Sequence, residues 1–70
     1  MSNHVYSITE IIGSSGTSLD DAIENGISTA ARSLRQLEWF EVTQIRGQVV
    51  DGAVKYFQVQ MKLGLRHEPK

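Results

Sequence analysis

Cysteine is absent from this chain, proline occurs once, and only five of seventy residues are aromatic. Without cysteine there can be no disulfide and no thiolate metal site. His4 and His67 lie near opposite ends, at neither helical nor hairpin spacing, which argues against a structural zinc site. An excess of either charge is missing too: seven Lys and Arg stand against eight Asp and Glu, for a net charge of −1. That balance argues against nucleic-acid binding through phosphate neutralisation. No apolar run approaches the roughly 20 residues that span a bilayer. The N-terminus lacks a basic segment followed by an apolar one, so no signal peptide is expected and a cytoplasmic location is. No low-complexity segment or internal repeat is visible.

At 7.8 kDa the chain makes one domain, residues 1–70, with a marginal core. Small domains recruit disulfides, metals or copies of themselves. With disulfides excluded and a structural zinc site disfavoured, self-association is the expected staple.

Val5 to Ile12 is rich in β-branched residues and reads as a strand, with Tyr6, Ile8 and Ile12 on one face and Glu10 interrupting it. Gly13 to Ser18 reads as a loop. Leu19, Ala22, Ile23, Gly26, Ile27, Ala30, Ala31, Leu34 and Leu37 recur at the three-and-four spacing of one helix face. Ser18 with Asp21, or Thr17 with Asp20, supplies a cap. Arg32 and Arg35 would then lie in the last turn, where cations suit the helix dipole. Gly26 on the apolar stripe points to close packing of helix on sheet.

A second strand runs from about Trp39 to Val50. Phe40 and Val42 would face the helix; Trp39, Glu41, Thr43 and Ile45 would face away, with a bulge near Gly47 absorbing a change of phase. Asp51-Gly52 signals a hairpin turn. The third strand alternates cleanly, with Phe57, Val59, Met61, Leu63 and Leu65 on one face and Tyr56, Gln58, Gln60, Lys62, Gly64 and Arg66 on the other. The tail from His67 is polar and expected to fray. The fold class is α+β: a β-α-β-β chain whose three-stranded antiparallel sheet packs on one helix. Its second face, polar but carrying Trp39 and Tyr56, calls for cover by other copies.

No catalytic constellation is present: no Ser-His-Asp set, no nucleophilic cysteine, and no carboxylate pair outside the helix start. Gly13-Ser14-Ser15-Gly16 lacks the ending and spacing of a phosphate loop. The polar face offers more. Trp39 is a flat stacking surface, Gln58 an amide suited to the edge of a heterocycle, and Arg46 and Arg66 are forked donors suited to phosphate. The residues alone leave two readings open: a site for a planar phosphorylated heterocycle, or a solvated sheet face with Trp39 anchoring a subunit interface and no ligand.

Trp39-Phe40-Glu41-Val42, Ile45-Arg46-Gly47, Tyr56-Phe57-Gln58-Val59 and Gly64-Leu65-Arg66 resemble the dodecin family, as do Val5-Tyr6 and Glu10 to Ser15. The resemblance covers about residues 4 to 67, and Arg46 favours the bacterial type. It implies a β-α-β-β subunit in a hollow homododecamer. Flavins would sit in pairs at two-fold axes, stacked between tryptophans of symmetry-related subunits. It implies that Trp39 stacks on the flavin, Gln58 binds the polar edge of the ring, and Arg46 and Arg66 hold the FMN phosphate, with Gln60 a further candidate. It implies flavin storage and photoprotection rather than turnover. Some bacterial members also bind coenzyme A, for which Arg32 and Arg35 are candidates. Gln44 and Gln60 depart from the family pattern, where an acidic and an aliphatic residue are common, and alter the polarity of the pocket.

Overall fold

The computed structural model describes residues 3–67. The elements are β1 (Val5–Ser15), α1 (Leu19–Ala30), β2 (Leu37–Val50) and β3 (Ala53–His67), and the strands form one antiparallel sheet in the order β1-β3-β2. The most regular strand of the sequence therefore lies in the middle, paired on both sides. Its apolar face carries Val59, Met61 and Leu63, which with Ala22 of α1 are the fully buried core.

The expected cap forms at Ser18. Its hydroxyl accepts the Asp21 N–H at 3.0 Å, a contact worth about 1 kcal/mol. A buried neighbour strengthens it: the Ser15 hydroxyl donates to the Asp21 carboxylate at 2.7 Å and accepts the N–H groups of Thr17 and Ser18. At the turn between β2 and β3, Asp51 and Gly52 have φ of 52° and 76°, as a two-residue hairpin requires, and Val50 pairs with Ala53 across it.

Five expectations are corrected. First, Gly13, Ser14 and Ser15 are not loop. They continue β1, opposite Val59, Gln58 and Phe57. Gly13 is there because the helix crosses at that point: its Cα lies 3.2 Å from where a Cβ on Gly26 would stand, so strand and helix backbones meet. Second, α1 stops at Ala30, with no basic residue in its last turn, so Arg32 and Arg35 lie beyond it. A turn follows, held by Leu34 N–H on the Ala30 carbonyl at 2.9 Å, and through it Leu34 and Leu37 still reach the core.

Third, α1 packs on β1 and β3 only, so Phe40 and Val42 lie on the helix side of the sheet but beyond the helix, 45% and 38% exposed. Fourth, the phase of β2 changes at three places, between Leu37 and Trp39, Val42 and Gln44, and Gln48 and Val49. The middle shift turns Ile45 to the face of its partner Val59, not away from it. Thr43 occupies that bulge, its hydroxyl donating to the Gln60 carbonyl at 3.1 Å. Fifth, His67 pairs with Val5 at the end of β3, and the rest of the expected frayed tail, 68–70, lies outside the described residues.

Strands of 11, 14 and 15 residues make a long ribbon, 54 × 21 × 15 Å. The radius of gyration of 14.6 Å exceeds the roughly 11 Å of a compact chain this size. The exposed area of 5206 Å² likewise exceeds the roughly 4,400 Å² expected of a compact monomer. The excess is the quantitative form of the missing staple, and other copies can cover it.

Candidate functional site

The sheet face opposite α1 carries all four candidate residues, but in two separate places, one toward the C-terminal end of β3 and one near its middle. Cross-strand partners share a face. Trp39 pairs with Gly64, and Arg46 with Gln58. Those partners are six residues apart on β3, about 20 Å at 3.3 Å per residue.

The first place is built around Trp39. The bulge before it inserts Glu38, so that Glu38 and Trp39 both reach the polar face. The indole lies flat on Gly64: a Cβ built there would fall among the Cδ2, Cε2 and Cζ2 atoms of the Trp39 ring. Gly64 is itself buried under the ring, while the indole stays 39% exposed. One ring face thus rests on backbone and the other is open. Tyr6, across the sheet, tilts at 54° to the indole with ring centroids 6.2 Å apart. The Tyr6 hydroxyl donates to Glu38 Oε1 at 2.9 Å, and Glu38 Oε2 pairs with Arg66 Nη1 at 3.6 Å. The hydrogen bond to Glu38, with smaller contributions from desolvation and the carboxylate charge, raises the Tyr6 phenol above its ordinary 10.0; the Arg66 charge opposes it.

The second place, near the middle of β3, is built around Arg46. Its Nη2 donates to the Gln44 side-chain oxygen and, at 2.8 Å, to Gln60 Oε1. Gln60 Nε2 donates in turn to Glu10 Oε2 at 3.0 Å, so one chain of hydrogen bonds crosses all three strands. Gln58, opposite Arg46, makes no side-chain hydrogen bond among the described residues and keeps its amide for another partner. An open hollow of about 400 Å³ lies beside Glu10, Ile12 and Gln60. Among the described residues no group of three or more His, Cys, Asp or Glu is placed to hold a metal.

The structure therefore joins Trp39 with Arg66, and Arg46 with Gln58, and does not join the two pairs within one chain. Tyr6, Glu38 and Gly64 were missed as parts of the first place and Glu10 as part of the second. Gly64 had a signal: a glycine inside a clean strand marks close approach of another group. Glu10 had one as well, as the charge interrupting an apolar face.

Comparison with known proteins agrees with this architecture. The sequence model of one protein family, Dodecin, matches residues 5–68. A dodecin from Thermus thermophilus is 41% identical over 64 residues, covering 91% of this chain and 93% of that one. The solved dodecin of Streptomyces coelicolor is 50% identical with a TM-score of 0.91 over the whole of both chains. That of Streptomyces davaonensis is 47% identical with a TM-score of 0.90, covering 97% of this chain and all of that one.

Proposed function

The chain belongs to the dodecin family, and from that premise we propose that it binds flavin, FMN in particular, as a storage and photoprotection protein rather than an enzyme. The observation that carries this reading is the Trp39 indole, laid flat on Gly64 with its outer face uncovered. A rigid, half-exposed indole is a stacking wall. Aromatic stacking adds about 0.5–1.5 kcal/mol to the burial of the two faces.

The chain's own residues fit the group. Trp39 supplies the wall, Gln58 an uncommitted amide for the alternating donors and acceptors of the ring edge, and Arg46 a cation for the phosphate. Because Trp39 and Gln58 stand about 20 Å apart along the ribbon, one subunit supplies the wall and a second the polar contacts. A two-fold axis does this twice over, because an isologous interface presents the same patch from both sides. The assembly proposed is a homododecamer in the family manner, and the excess surface of the single chain supports self-association. Arg66 stands with the wall: its pairing with Glu38 keeps it beside Trp39, where it reaches the ligand from the tryptophan side. A bound flavin supplies a light-excitable electron acceptor, and Trp39 meets it with an electron-rich ring at contact distance, the condition for quenching. Coenzyme A stays a secondary proposal; Arg32 and Arg35, outside the helix, are its candidate contacts.

The alternative is an assembly module with no ligand, in which Trp39 anchors an interface; the exposed Phe40, Val42 and Ile45 favour contacts between copies in either case. FMN titration with light scattering separates the two. Flavin fluorescence should be quenched on binding to an oligomer, and Trp39→Ala should weaken binding by at least tenfold. An oligomer that leaves FMN fluorescence unchanged, or a Trp39→Ala variant that binds as tightly as wild type, refutes the flavin reading.

A further inference from the structure

The two arginines of the polar face differ in one respect. Arg66 has a carboxylate partner, Glu38, at 3.6 Å. Among the described residues the acceptors of Arg46 are both neutral amide oxygens, those of Gln44 and Gln60. Two neutral acceptors fix a guanidinium in place without cancelling its charge. A carboxylate in either position would fix it equally well and neutralise it.

The orientation of the Gln60 amide is not arbitrary. An ionised carboxylate can only accept hydrogen bonds. Glu10, 3.0 Å from Gln60, must therefore face the NH2 group, which turns the carbonyl oxygen toward Arg46. The strand register makes this geometry available. Gln60 lies on central β3, directly opposite Ile12 of β1 and Gln44 of β2, so its amide stands midway between Glu10 and Arg46. Glu10 is thus one amide removed from the guanidinium: close enough to orient its holder, without direct contact with the charge.

Resting on the flavin reading above, we propose that Gln60, oriented by Glu10, is a positioning residue that presents Arg46 beside Gln58 with no carboxylate in contact with it, and so sets the preference for a phosphorylated over an unphosphorylated flavin. Gln44 shares the load from the other side. The anionic group it selects is the FMN phosphate, because riboflavin carries the same ring without it.

FMN and riboflavin titrations of wild type, Gln60→Met and Gln60→Glu test this, with light scattering confirming that each variant still assembles. Wild type should bind FMN more tightly than riboflavin. Gln60→Met keeps the side-chain volume and removes the acceptor; FMN affinity should fall about tenfold, the effect of one charge-assisted hydrogen bond, with riboflavin affinity unchanged. Gln60→Glu keeps an acceptor in place but adds a carboxylate, and should lose the FMN preference as well. A purely structural role would weaken both flavins together in both variants. An FMN-to-riboflavin ratio unmoved by either substitution overturns the proposal and leaves the flavin reading standing. A wild-type protein that binds neither flavin overturns both.

Discussion

Replacing Gly64 by alanine adds one methyl group at the most consequential point of the polar face. The new Cβ would overlap the six-membered ring of Trp39. Gly64 cannot move out of the way: it sits on the central strand, paired to Ile8 on one side and Trp39 on the other. The indole must lift or rotate. To restore ordinary contact at about 3.5–4.0 Å, its plane has to shift by more than an ångström. Folding stability should change little, because two opposing effects of similar size meet. Alanine in a strand gains about 0.5–1 kcal/mol over glycine in chain entropy, and the displaced indole loses a comparable contact with the backbone. Ligand binding has no such offset. A wall tilted off its plane forfeits the aromatic contribution of about 0.5–1.5 kcal/mol and part of the buried area, so FMN affinity should fall by about tenfold or more.

The assay is direct because Trp39 is the only tryptophan. Its fluorescence and near-ultraviolet circular dichroism in the ligand-free protein report the displacement, and FMN titration reports the consequence. If Gly64→Ala leaves both the tryptophan signal and the FMN affinity at wild-type values, the platform argument is wrong.

Ser15→Ala should destabilise the fold by about 1–3 kcal/mol, more than a simple cap loss, because it strips a buried hydroxyl from the Asp21 carboxylate and leaves the Thr17 and Ser18 N–H groups without it; chemical denaturation read by circular dichroism checks this, and an unchanged midpoint refutes it. Glu38→Leu removes the acceptor that is the main cause of the raised Tyr6 titration, and its charge with it, so tyrosinate absorbance should develop at lower pH than in wild type. The sign for stability follows: with the folded value raised, the Tyr6–Glu38 contact contributes fully below the ordinary 10.0 and its contribution is lost as the pH rises through the raised value. A Tyr6 titration identical in Glu38→Leu and wild type would show that the hydrogen bond is not its cause.

Local chemistry was legible wherever the pattern had one cause. The alternation from Phe57 to Leu65 can only be a half-buried strand, and Asp51-Gly52 adopts the positive φ values that a tight hairpin demands. Ser18 capped the helix as its spacing required. Patterns with two causes misled. Leu34 and Leu37 prolong the helical spacing, yet they reach the core from a turn and from β2, because packing rewards the position of a side chain, whatever backbone delivers it. Gly13 to Ser15 has the composition of a loop and the register of a strand, the glycine being required by the helix crossing above it. In β2 the outward aim of Trp39 was readable, but the bulge before Gln44 that returns Ile45 to the Val59 face was not.

By itself, the amino-acid sequence determined the order of elements, the two faces of β3 and the outward tryptophan, because side-chain period and turn chemistry are local properties. Only the tertiary structure decided that Trp39 lies on Gly64, that Glu38 pairs with Arg66 while Gln44 and Gln60 hold Arg46, and that Trp39 and Gln58 stand about 20 Å apart along the ribbon. Each of these depends on which residues of different strands stand opposite one another. That register is set jointly by the hairpin, three phase shifts in β2 and the crossing of a helix over Gly13, none of which any single segment encodes.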